Sequence, residues 1–392
     1  MTIETTTRSR LSQRVQDVPP SGIRKFFDVL ASMPDVISLG VGEPDFDTPE
    51  RVVEAGVASL REGRTHYSSN YGTIELREAV ARHLEGLYGT TYDSAREVLI
   101  TVGVSEGLNI AMEALLDPGD EVIVAEPTYS SYVPTIMFAG GVPVSIPTRP
   151  EDAWQLDPEA VEAAVTPRTK ALFIGFPNNP TGAVLEPETL QALADIAVRH
   201  DLLVISDEIY DRLVFGGHQH VAISSLPGMQ ERTILLGGWS KAYAMTGWRI
   251  GYVCAPADLI EGMLKVHQYI IMTASTTAQD AATVAIYECE GDVERMVAEY
   301  DRRRRMFVPG LEKLGLPTVE PKGAFYAFPD IRASGLSSDE FATRLLHEER
   351  VAVIPGNTFG PSGEGYVRAT IATSYERLEE ALVRLERFLG TH

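Results

Sequence analysis

Cysteine is nearly missing from this chain. Only Cys254 and Cys289 occur, both among apolar neighbours and in no metal-ligand spacing. No disulfide framework and no metal site are expected, and a reducing cytoplasmic setting fits. Long apolar runs are missing too: none approaches the roughly 18 residues that a membrane-spanning helix needs. Residues 1–20 are polar and lack the apolar core of a secretory signal. The chain has no internal repeat and no low-complexity stretch. Positive charge is in short supply, with 34 Lys and Arg against 55 Asp and Glu and a net charge of −21. An acidic surface repels nucleic-acid backbone and anionic membrane, so neither is expected as a partner. A small anionic substrate is not excluded, because it responds to local charge.

What is present is enough apolar sequence, 44 % of 392 residues, for one large domain or two. From about 97 to 255, short apolar runs alternate with helical segments. The runs begin at Val98, Glu121, Val142, Lys170, Leu202, Thr233 and Arg249, and the helical spacings cover 105–116, 130–139, 158–165 and 187–200. Repeated strand–helix units of this length predict an α/β fold with a mostly parallel, doubly wound sheet. Its ligand site is expected beyond the carboxyl ends of the strands. After 255 the pattern turns helical, and from Leu316 short strands return. Residues 1–20 read as an N-terminal arm, 51–294 as the large domain, and 21–50 with 295–392 as a smaller α+β domain. A helix is expected over 21–33, and Thr48 before Pro49 reads as a helix N-cap. The run Arg302–Arg305 reads as a solvated helix face or a subunit contact.

The loop between the runs at Thr233 and Arg249 needs an explanation that a core does not supply. It holds Gly237, Gly238, Ser240, Lys241 and Gly247, with Arg249 eight residues after the lysine. A lysine and an arginine held close between buried strands repel each other unless an anion lies between them. A phosphate is such an anion. A lysine beside cationic groups or out of water becomes a usable amine nucleophile. An amine beside a phosphate site is what pyridoxal phosphate requires, because its aldehyde condenses with lysine. Other loops follow strands in the same way. Thr101–Ser105 opens a helix whose free N–H groups favour an anion. Asn178–Gly182 makes a turn, and Asn179 there either shapes the turn or donates into a site. Asp207 ends a covered strand, where a carboxylate is costly without a cation, and Tyr210 can reach the same ligand. Tyr129 either stacks on a flat ring or packs in a core or dimer contact. Arg368 lies in an apolar strand, where an arginine needs an anion and can hold a carboxylate by two points.

With these residues in view, the chain resembles the class I/II aminotransferases, the pyridoxal-phosphate enzymes of fold type I, from about residue 21 to the end. The resemblance rests on Gly238-x-Ser240-Lys241 with Gly247-x-Arg249-Ile250-Gly251, on Asn179–Gly182, on Asp207-x-x-Tyr210, on Gly40–Phe46, on Pro321–Tyr326 and on Arg368. It implies that Lys241 carries the cofactor aldehyde and shuttles the substrate proton, and that Asp207 pairs with the pyridine nitrogen. It implies that Tyr210 and Asn179 hydrogen-bond the ring hydroxyl oxygen and that Tyr129 stacks on the ring. The backbone of Val104 and Ser105, the Ser240 hydroxyl and Arg249 would hold the phosphate, and Tyr67 would reach the phosphate of a neighbouring subunit. A homodimer with shared sites follows. Arg368, helped by Asn179 and Gly40, would hold the substrate α-carboxylate. The implied reaction moves an amino group between an L-amino acid and a 2-oxo acid, with glutamate and 2-oxoglutarate as one pair and aspartate or an aromatic amino acid in the other. A carbon–sulfur β-lyase of the same fold would share every one of these residues. A cofactor-sensing regulator would need a basic DNA-binding domain ahead of the fold.

Overall fold

The computed structural model describes residues 10–20, 22, 33 and 35–390. The helix expected over 21–33 therefore lies outside the described residues apart from its two described positions. The strands in chain order are β1 (Ile37–Ser38), β2 (Val98–Thr101), β3 (Glu121–Glu126), β4 (Val142–Pro147), β5 (Thr169–Ile174) and β6 (Leu203–Asp207). They continue with β7 (Thr233–Gly238), β8 (Gly251–Cys254), β9 (Tyr326–Ala327), β10 (Val351–Ala352), β11 (Ile354–Pro355) and β12 (Val367–Thr370). Seven of these form one sheet in the order β2-β8-β7-β6-β5-β3-β4. Its pairs are parallel except where β8 lies antiparallel between β2 and β7.

Burial on both faces explains the continuous apolar runs of the sequence. Leu99, Val124, Phe173, Ile205 and Val253 point to one core, shared with the Gly103–Leu115 and Ala257–Ile270 helices. Val98, Ile123, Leu172, Val204 and Cys254 point to the other. The edge strand β4 is more exposed and carries Pro143 and Pro147, which an edge tolerates because an outer N–H has no partner to lose.

The C-terminal part builds smaller sheets. Strands β11, β12 and β9 pair antiparallel, with Ile354 opposite Arg368. Strand β1 pairs in parallel with β10, and Leu39 accepts from the Thr370 N–H at 2.8 Å. The Gly40–Asp47 loop is thereby held against β12.

Two local expectations change, and one helix is added. The helix after Pro49 starts at Glu50, with Pro49 in extended geometry as its cap. Thr48 is not the N-cap. Its hydroxyl donates to the Ala244 carbonyl at 2.7 Å and accepts from the Trp248 indole at 3.0 Å, so it ties the lysine loop down instead. A further helix at Ile74–Tyr88 was not read from the spacing. The arginine run lies within the Glu290–Lys313 helix and is not one solvated face. Four consecutive helical residues sweep about 300° around the axis, so they cannot share a side. Arg303 and Arg304 are buried, while Arg302 and Arg305 stay exposed. Arg303 holds Asp45 of the Gly40–Asp47 loop at 2.8 Å and Glu299 at 2.9 Å, and Arg304 holds Asp301 at 2.7 Å.

Removing Arg303 takes the cation partner from Asp45, while Glu299 keeps Arg302 at 2.7 Å. Arg303→Ala is expected to lower stability by about 2 kcal/mol, less than for a fully buried pair because both acids keep some water and Glu299 keeps Arg302. The midpoint of urea unfolding measures this, and an unchanged midpoint would refute the tie.

Candidate active site

The loops after β2, β3, β5, β6 and β7 open at one edge of the seven-stranded sheet. Because β8 runs antiparallel, the 239–250 segment leaves β7 and returns at that same edge. Thr101 at the end of β2 stands opposite Gly251 at the start of β8. The turn after β2 therefore lies against the end of the lysine loop. A Cβ on Gly251 would sit 2.7 Å from the Gly103 carbonyl carbon and the Val104 nitrogen, so only glycine permits this approach. Gly103 has φ +73°, and a Cβ there would meet an Arg249 guanidinium nitrogen at 2.7 Å. The N-terminus of the Gly103–Leu115 helix and an exposed Arg249 thus form one corner. Helix N–H groups, the helix dipole and a guanidinium together make an anion cup.

A cavity of about 660 Å³ opens from this corner, lined by Val104, Ser105, Tyr129, Asn179, Asp207, Tyr210, Ser240, Lys241, Arg249 and Arg368 among others. The structure thus brings together these ten residues singled out from the sequence. Gly40 stands behind Arg368. Tyr67 does not join them: its side chain is 77 % exposed on the protein surface. Other lining residues, Val41, Leu108, Asn109, Ser131, Thr135 and Phe138, carry no charge.

Lys241 donates from Nζ to the Gly42 carbonyl at 2.6 Å. It lies 5.7 Å from the Phe325 ring and 5.9 Å from the Tyr210 ring. Loss of water lowers its pKa to about 8, with Arg368 and Arg249 adding to the shift and Glu43 opposing it. Asp207 is buried at the end of β6, and burial raises its carboxyl to about 6. The Tyr132 hydroxyl, donating at 2.8 Å, and the Ile209 N–H, at 3.1 Å, work the other way.

Arg368 is 2 % exposed and lies between the Tyr326 and Phe359 rings, 4.5 and 4.8 Å from their centres. Nη1 donates to Asn179 Oδ1 at 2.9 Å and Nη2 to the Gly40 carbonyl at 2.6 Å. Its Nε has no partner, which is costly in a buried cation. Among the described residues no carboxylate pairs with this guanidinium, and one bound in the cavity would supply the missing negative charge. The adjacent asparagines divide their work. Asn178 Oδ1 takes the Thr181 hydroxyl at 2.9 Å and shapes the turn, while Asn179 faces Arg368. Tyr210 is buried, and its hydroxyl meets that of Tyr326 at 2.7 Å.

Tyr132 is the residue that the sequence reading left without a role. It stands three after Tyr129, where the loop after β3 passes into the Tyr132–Phe138 helix, and that spacing was the available signal. The deeper cause is not local. Tyr132 reaches Asp207 across Gly175, where a Cβ would sit 2.8 Å from the tyrosine oxygen.

The family model for aminotransferase class I and II matches residues 34–385. The chain belongs to that family, and its activity is that of an aminotransferase. A putative aminotransferase of Bacillus subtilis, YugH, is 49 % identical over 97 % of this chain and 98 % of its own length. An aspartate aminotransferase of Pyrococcus abyssi is 47 % identical with the same coverage. Among solved structures, an aromatic aminotransferase of Pyrococcus horikoshii is 46 % identical with a TM-score of 0.90, covering 93 % of this chain and 99 % of that one.

The Tyr132–Asp207 contact can be read from stability. A buried acid with a raised pKa contributes stability below its unfolded value of about 4 and loses it as pH rises toward 6. Tyr132→Phe removes a donor that favours the carboxylate, so the loss should extend above pH 6 in cofactor-free protein. Urea midpoints between pH 4 and 8 report this, and superimposable profiles for the two proteins would refute the contact.

Proposed function

We propose that the cavity holds pyridoxal 5′-phosphate and that Lys241, Asp207 and Arg368 carry a transamination there. The observation behind this reading is their convergence: a softened lysine amine, a buried carboxylate short of a cation and a buried arginine short of an anion face one space. The donor set suits the group. Asp207 supplies the charge that a protonated pyridine nitrogen needs, and the cup at Val104, Ser105, Ser240 and Arg249 suits a phosphate. Tyr129 offers a ring face, and Tyr210 and Asn179 offer donors for the ring hydroxyl oxygen.

When bound, the cofactor supplies an electron sink for the charge left as a proton departs the substrate α-carbon. The chain's own residues do the rest. Arg368, clamped by Asn179 and Gly40, receives the α-carboxylate and fixes which bond faces Lys241. Lys241 Nζ takes the α-proton and returns it one position away. A pKa near 8 suits that exchange, because the amine is partly free at neutral pH. Asp207 stays ionised against its ring partner and keeps the sink effective.

The donors and acceptors are an L-amino acid and a 2-oxo acid. Glutamate with 2-oxoglutarate is one pair. Aspartate or an aromatic amino acid belongs to the other, as the names of the similar proteins suggest. A homodimer follows from Tyr67, whose exposure suits a residue that completes a second copy's phosphate cup. Residues 51–294 would form the large domain, with 21–50 and 295–392 as the small one; the β1–β10 pairing supports that grouping.

Lys241→Ala should lose turnover by at least about a thousandfold. In the unaltered protein, the rate at which cofactor-free enzyme captures pyridoxal phosphate should rise with pH around a midpoint near 8, since the protonated amine cannot attack. Absorbance on mixing measures this. A midpoint above 10, or a fully active Lys241→Ala protein, would refute the assignment. A panel of amino donors with 2-oxoglutarate identifies the substrate, and pyruvate release without any 2-oxo acid would indicate the lyase instead.

A further inference from the structure

The anion cup contains a residue that its charge argues against. Glu106 lies in the first turn of the Gly103–Leu115 helix, beside the amides that would hold a phosphate. A carboxylate suits a helix N-terminus but costs free energy next to a phosphate dianion. Its side chain is only 11 % exposed, so water does little to screen it. Oε2 accepts from the Val102 N–H at 2.5 Å. Val102 is the helix cap and has no side-chain cap of its own. Oε1 meets Nδ1 of His267 at 2.7 Å. His267 is wholly buried in the last turn of the Ala257–Ile270 helix, and its Nε2 has no partner. A fully buried imidazole with one nitrogen unsatisfied is an expensive way to join two helices, when an apolar pair would serve.

We propose that Glu106 and His267 are positioning residues for the phosphate cup. Glu106 takes the Val102 N–H out of competition and fixes the turn at Gly103, so the Val104 and Ser105 amides point outward at the anion. His267 holds the carboxylate in that pose and keeps it turned away from the bound phosphate. Neither side chain touches the reacting atoms. The inference rests on the reading above, that the cup receives the cofactor's phosphate.

The test uses protein stripped of cofactor, titrated with inorganic phosphate by calorimetry and with pyridoxal phosphate by absorbance. Glu106→Ala should raise both dissociation constants by about tenfold, the scale of one lost capping hydrogen bond. Glu106→Gln keeps an oxygen for the Val102 N–H and sheds the repelling charge, so it should bind both ligands at least as tightly as the unaltered protein. His267→Phe frees the Glu106 carboxylate and should also raise both constants. If Glu106→Ala lowers the urea midpoint and leaves both constants unchanged, the pair is only a clamp between helices and the proposal fails. It also fails if Glu106→Gln binds as weakly as Glu106→Ala, because charge and not the hydrogen bond would then matter. Failure of the unaltered protein to bind either ligand would instead overturn the assignment of the cup.

Discussion

The site depends on one close approach of backbone to backbone. Gly251 lies against Gly103 and Val104 with no room for a methyl group. That contact exists because β8 enters the sheet antiparallel between β2 and β7. An all-parallel insertion would carry the end of the lysine loop to the far edge of the sheet. The antiparallel strand instead brings Lys241, Arg249 and the helix N-terminus to one corner. A loop lysine, a loop arginine and the amides of Val104 and Ser105 become one site through a choice of strand direction.

The charged groups gathered there are each left incomplete. Lys241 is pulled toward its neutral form by loss of water and by two arginines. Asp207 is pushed toward its neutral form by burial. Arg368 keeps one nitrogen unpaired between two aromatic rings. In isolation each would be a defect. Together they describe the outline of what should bind: a cation at the aspartate, an anion at each arginine, and an electrophile within reach of the amine. Neighbours hold this arrangement still. Tyr132 reaches Asp207 over Gly175, and Tyr326 approaches Gly42 so closely that a Cβ there would lie 2.5 Å from its oxygen.

Much of this was legible in the chain because strands buried on both faces read as apolar runs, and the residues just after them must lie at the sheet's edge. Asp207 and Asn179 were found by that rule, Lys241 and Arg249 by two cations in one glycine-containing loop, and the family resemblance supplied their roles. Arg368 was found because an arginine in an apolar strand demands an anion. The parts that escaped depend on partners remote in sequence. Nothing local announces that Tyr132 meets Asp207, or that Glu106 meets His267. Thr48 was assigned by a local rule to a helix cap, and a tertiary bond to Ala244 took it instead. The arginine run was judged by composition, and helical geometry divided it between core and solvent.

The cations of the cavity are Lys241, Arg249 and Arg368 among the described residues, and each faces a group that every amino acid or the cofactor brings. Two acids, Glu43 and Asp207, also line it, and the side chains from Val41 and Asn109 to Thr135 and Phe138 are neutral. Chemistry and appetite are thus written on different residues. A lineage can change which nitrogen source it draws on by exchanging small uncharged side chains, while inheriting the proton transfer intact.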